Sequence, residues 1–129
     1  MKEKEIKVLM VEPMKKPKIV TLKNDLDSLQ KAVSIGSDYQ GLIEIISLGD
    51  STCVLCNEEG KLIGLEGNRR IGNDIIAGVF YIVGENNDGD LISLTEEQIQ
   101  TYKERFRTPE YYSKKGVENR IYAVFCGFC

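Results

Sequence analysis

Apolar positions fall in short blocks along this chain, most of them the length of strands. Lys7-Val8-Leu9-Met10-Val11 and Lys18-Ile19-Val20-Thr21-Leu22 are two such blocks, separated by Glu12-Pro13-Met14-Lys15-Lys16-Pro17. Two prolines suit a connection and would break a central ladder, so the pattern predicts a hairpin. Asn24 stands where an N-cap belongs, Asp27 lies in the first turn, and Leu26, Leu29 and Val33 fall at helical spacing. This predicts a helix of about ten residues, closed near Gly36.

Residues 41–48 then read as a buried strand, bounded by Gly49-Asp50. Residues 52–56 read as another, turned by Asn57-Glu58-Glu59-Gly60 into Lys61-Leu62-Ile63-Gly64-Leu65 as a second hairpin. After a polar stretch at 66–74 comes the most apolar run, 75–83, predicted as the central strand. Residues 85–90 form a turn and Leu91-Ile92 a short edge. A second helix then begins at a capping box of Thr95 and Gln98, with Leu94 stapled onto Ile99. Ile99, Tyr102 and Phe106 make its apolar face, and Pro109 ends it. The tail holds a basic loop and a final apolar strand at 121–126. Together these elements predict one α+β domain over residues 1–129, with a largely antiparallel sheet of six to seven strands and two helices.

Composition narrows the function. At 129 residues, 42% hydrophobic and 29% charged, the chain suits a soluble domain that folds alone. Its N-terminus is charged and lacks a small-residue cleavage site, and no apolar run approaches the ~18 residues of a membrane span. A cytoplasmic location with reduced thiols is expected. The chain has no His, which excludes Ser-His and Cys-His nucleophile pairs and the two-His zinc protease motif. No spacing singles out a pair of carboxylates for acid–base work, so neither catalysis nor a cofactor is expected.

The net charge of -3 conceals an uneven distribution. Residues 1–31 carry eight basic and five acidic side chains, 32–100 carry three and twelve, and 101–129 carry six and three. Acidic residues this spread out read first as a solvated surface.

Several ordered segments are familiar as a set: Val8-Leu9-Met10-Val11-Glu12-Pro13 with Lys15-Lys16-Pro17, then Asp25-Leu26-Asp27-Ser28-Leu29-Gln30, then Cys56-Asn57-Glu58-Glu59-Gly60-Lys61-Leu62 and Asn68-Arg69. They continue with Asp74-Ile75-Ile76-Ala77-Gly78-Val79-Phe80 and Ser93-Leu94-Thr95-Glu96-Glu97-Gln98. In that order they resemble the domain of unknown function 3846 family, small proteins of phages and other mobile elements, over about residues 7–106. The segment 107–129 reads as a C-terminal extension. The resemblance implies no particular catalytic residue, but it favours action by binding, including the blocking of host defence components.

Four constellations invite chemical readings. Cys53-Val54-Leu55-Cys56 and Cys126-Gly127-Phe128-Cys129 both have the C-x-x-C spacing of zinc ligands, but 69 residues separate the pairs. Residues three apart in a strand face opposite ways, so buried free cysteines are the expectation at Cys53 and Cys56. Glu85-Asn86-Asn87-Asp88-Gly89-Asp90 has the composition of a calcium loop, yet aligning Gly89 with the loop's glycine puts Gly84 and Thr95 where carboxylates are required. Aromatic and basic residues interleave from Tyr102 to Lys115, but Tyr102 and Phe106 are needed for the core and the pI is about 5.1, which argues against nucleic acid.

The fourth constellation is the most suggestive. Arg69 and Arg70 are the only basic side chains between Lys61 and Lys103, set among Gly64, Gly67 and Gly72. Paired arginines recognise phosphate or carboxylate bidentately, and Asn68, Asn73 and Asp74 offer groups for ribose or base edges. The sequence therefore points first to a non-catalytic protein that sequesters a small anionic, nucleotide-like ligand through Asn68, Arg69, Arg70, Asn73 and Asp74. A module that inhibits a host protein through its sheet edge or acidic face is the alternative, and a zinc-stabilised domain using Cys53, Cys56, Cys126 and Cys129 is a third. Any of these is compatible with a homo-oligomer.

Overall fold

Strand β1 (Glu5–Val11) alternates so that Ile6 and Val8 are buried toward one face of a sheet and Leu9 and Val11 toward the other. A computed structural model describes residues 3–112; the predicted strand at 121–126, Cys126 and Cys129 lie outside the described residues. β1 pairs antiparallel with β2 (Lys18–Lys23), forming the expected hairpin. Its other edge pairs with β7 (Phe80–Glu85), which pairs in turn with β4 (Thr52–Asn57), and β4 with β3 (Ile43–Gly49). The order is β2-β1-β7-β4-β3, with the short β8 (Leu91–Ile92) on the end of β7. β5 (Gly67–Ile71) and β6 (Asp74–Ala77) form a separate two-stranded sheet.

Three layers result. Helix α1 (Leu26–Val33) buries Leu29 and Val33 against Ile6, Val8, Cys53, Leu55 and Tyr81. Helix α2 (Glu96–Arg105), with Ile76 of β6, covers the opposite face at Leu9, Val11, Val54, Cys56, Phe80 and Ile82. β4 and β7 therefore have both faces covered, which is why their apolar runs do not alternate. This is the α+β arrangement with two helices and a largely antiparallel sheet that the pattern predicts. The Thr95–Gln98 capping box is present, and Leu94 joins Ile99 in one cluster.

Several boundaries differ from expectation, each for a traceable reason. Asp25, not Asn24, caps α1, accepting from the Ser28 N–H at 2.8 Å. Asn24 is buried instead and donates to the carbonyls of Glu3 and Leu91. β3 is an edge strand rather than a buried one: Glu44, Ile45, Ser47 and Gly49 are exposed and none of its residues is fully buried. The hairpin partner of β4 is the preceding β3, through a tight turn with Asp50 and Ser51 at positive φ, while 61–65 is no strand. There the Ile63 N–H bonds Glu59 O and the Leu65 N–H bonds Gly60 O, as in a helical turn. The supposedly polar stretch holds β5, whose Gly67, Asn68 and Arg69 are buried.

The run at 75–83 is two strands in two sheets. Gly78 sits at φ 86°, a left-handed conformation that L side chains rarely adopt, and turns the chain from β6 toward β7. Among the described residues no helix is long and apolar enough to cross a membrane.

Candidate functional site

Strand alternation separates the two arginines. Arg69, opposite Ile76, points inward and is fully buried, whereas Arg70, opposite Ile75, is exposed. The Arg69 guanidinium donates from Nε and Nη2 to Phe106 O at 3.1 and 2.9 Å, from Nη2 to Lys15 O at 2.7 Å, and from Nη1 to Asn68 Oδ1 at 2.8 Å. Asn68 is buried beside it and donates from Nδ2 to the carbonyls of Val11 and Gly78. Burial works against the charge of Arg69 and lowers its pKa, opposed by Glu110 and Tyr112 nearby. Four of its five N–H donors are thus committed within the chain. This corrects the expectation of a bidentate ligand clamp: Arg69 and Asn68 join the β1–β2 loop, the β5–β6 hairpin and the end of α2.

The other three expected residues are dispersed. Arg70 donates its backbone N–H to Glu110 Oε1 and its Nε to Gly72 O. Asn73 lies in the exposed turn between β5 and β6. Asp74 pairs with Lys61 and accepts from the Ile75 N–H, on the far side of that hairpin's turn from the buried guanidinium.

Cys53 and Cys56 are free, buried and on opposite faces of β4, one in the cluster under α1 and the other in the cluster under α2. One metal ion cannot take both thiolates from that arrangement. Burial, with the charge of Glu85, raises Cys53 to about 11; burial, with Glu44 and Asp74, raises Cys56 to about 12. Both are thus held as thiols at neutral pH and are poor nucleophiles. Alkylation of the native protein near pH 8, mapped by peptide mass spectrometry, should leave Cys53 and Cys56 unmodified until denaturant is added. Rapid native modification of either would contradict this packing.

What the fold does bring together is a cleft of about 400 Å³ between the β3–β4 hairpin, the turn after β4 and β6. Glu44, Cys56, Asn57, Lys61, Asp74 and Ile76 are among its lining residues. Glu44 Oε1 lies 3.9 Å from the Cys56 thiol, and Lys61 and Asp74 form an ion pair beside them. Asn57 Oδ1 accepts the Glu59 N–H at 2.8 Å, which fixes the amide so that Nδ2 is the buried atom without a hydrogen-bond partner. Among the described residues no group of three or more acids and thiols is arranged to hold a metal ion. Of these residues the sequence marks Asp74, as a ligand-binding candidate, and Cys56, as a candidate zinc ligand. Asn57 before Glu-Glu-Gly signals a turn, but nothing local links it to Glu44 across the hairpin.

The molecule is therefore a small α+β domain with an acidic cleft beside one end of its main sheet. It belongs to the family Domain of unknown function (DUF3846), whose model matches residues 6–107, in agreement with the span over which the motifs are similar. No curated protein and no solved structure shows a significant match to the chain.

Proposed function

We propose that this protein is a non-catalytic binding module of phage or mobile-element type, acting in the cytoplasm, that inhibits a host protein by accepting one of its extended segments at β3. The open edge of β3 carries this reading. The Glu58 N–H bonds Leu42 O, so residues 42, 44 and 46 face β4 and the N–H and C=O groups of Ile43, Ile45 and Ser47 face outward. Among the described residues no strand covers that edge.

The two edges of the sheet are treated differently. β2 follows Pro17 and carries Lys18 and Lys23 at its ends, devices that discourage strand pairing. β3 has neither Lys nor Pro, and exposed Leu26, Leu42 and Ile45 flank an apolar groove of about 440 Å³ beside it. A complementary partner is an extended segment with alternating apolar residues, hydrogen-bonded to the edge and anchored in that groove. The nucleotide-sequestering reading has less support, because Arg69 and Asn68 are committed to main-chain carbonyls. Absence of His and the protonated state of Cys53 and Cys56 support a non-catalytic role.

Affinity capture from bacterial host lysate tests this with three baits. Wild type and Arg70→Ala should retain the same stoichiometric partner, and Ile45→Lys, with unchanged melting temperature, should lose it. An empty wild-type bait, or a partner indifferent to Ile45→Lys, overturns the proposal.

A further inference from the structure

The edge of β3 is complementary to itself. Its pairing with β4 is regular from Ile43 to Ser47, and an irregularity follows between Ser47 and Gly49. Within that stretch the main-chain groups of Ile43, Ile45 and Ser47 face outward, so Ile45 is the middle of three alternate outward-facing positions. A second copy running antiparallel about a two-fold axis at Ile45 sets Ile45 opposite Ile45 and Ile43 opposite Ser47, with about six hydrogen bonds between the strands.

The side chains fit the same register. Ile43 packs in the cluster under α1, and Ile46 and Leu48 against the one under α2, so Ile45 lies on the α1 side and Glu44 on the other. About that axis the two Ile45 side chains meet and Glu44 faces Ile46, so no like charges stand directly opposite. Shifting the axis to residue 44 would set Glu44 against its own copy, and shifting it to 46 would carry the pairing into the irregularity. Leu26, Leu42 and Ile45, which are 66%, 57% and 57% exposed, lie along this edge as apolar surface for the contact to cover.

We propose that the protein pairs with a second copy of itself through β3, and that this homodimer is its resting form, in which the edge offered to a host segment is covered. That regulation rests on the reading of β3 as an acceptor edge, whereas the pairing itself needs no host partner. A five-residue edge buries less than the ~800 Å² per partner of a standard interface, so the dimer is weak, with a Kd on the order of 10 μM. A longer segment that also fills the neighbouring groove displaces the second copy.

Sedimentation equilibrium of the full chain from about 1 to 200 μM tests this. Wild type should pass from monomer to dimer across that range. Ile45→Lys and Ile45→Glu, each shown folded by circular dichroism, should weaken association about tenfold or more, because each sets like charges together on the axis. An equimolar mixture of the two variants should associate again, since the facing charges are then opposite, and only pairing at Ile45 produces that rescue. Ile19→Lys, on the β2 edge, should dimerise as wild type does. Wild type that stays monomeric, a dimer indifferent to Ile45→Lys, or a mixture that stays monomeric would each overturn the proposal. A monomeric wild type that still captures a host partner overturns the homodimer alone, whereas a dimer whose lysate bait comes back empty overturns the host reading alone.

Discussion

Arg69→Met should destabilise the protein by about 3–5 kcal/mol, because several acceptors lose their donors in one step. Phe106 O loses two hydrogen bonds, and Lys15 O and Asn68 Oδ1 lose one each. Methionine retains most of the apolar stem, so the loss is in polar satisfaction rather than volume. For a domain of this size the melting temperature should fall by roughly 10–20 °C. Arg69→Lys should recover little of this, since an ammonium cannot span three acceptors on separate segments in the planar fork of a guanidinium. Denaturant titration of both variants provides the measurement. A ligand-binding arginine would behave differently: Arg69→Met would then melt with wild type, and the placement of this side chain would be wrong.

Gly60→Ala is the second large effect. A Cβ at Gly60 would lie 2.6 Å from Ala77 O and 3.4 Å from Ala77 Cβ. The first of these is backbone in β6, which cannot rotate aside as the end of a side chain can. The turn after β4 must therefore retreat from β6, at a cost of about 2–3 kcal/mol. Equilibrium unfolding measures this cost, and stability equal to wild type would contradict the close approach.

Both predictions concern the part of the chain whose structure departs furthest from what its local sequence suggests. At Gly67-Asn68-Arg69-Arg70 the polarity suggested a loop, because charged and amide side chains in a strand are read as exposed unless a partner is visible. The partners of Arg69 are carbonyls of Phe106 and Lys15, 37 and 54 positions away. Main-chain carbonyls have no residue-type signature, so nothing in the sequence announces them. The break at Gly78 is a milder case: a glycine inside an apolar run is compatible with one strand or two, and only its φ of 86° decides.

Where interactions are local, sequence pattern and structure agree. The β1–β2 hairpin follows from two prolines between two apolar blocks, and α2 from a capping box and staple that lie within five residues of one another. The opposite facing of Cys53 and Cys56 follows from the twofold period of a strand. At Asn24-Asp25 two adjacent good caps were indistinguishable locally. The choice went to Asp25 because Asn24 is used to hold the N-terminal segment to β8.

By itself, then, the sequence determined an α+β domain, its first hairpin, both helices and the family to which it belongs, since periodicity and capping act over a few residues. Tertiary structure decided which arginine is buried, which strand pairs with β4, which sheet edge is left uncovered among the described residues and where an acidic cleft forms. Those outcomes depend on contacts between distant segments, and a buried polar group takes its role from the partner it meets rather than from its neighbours in the chain.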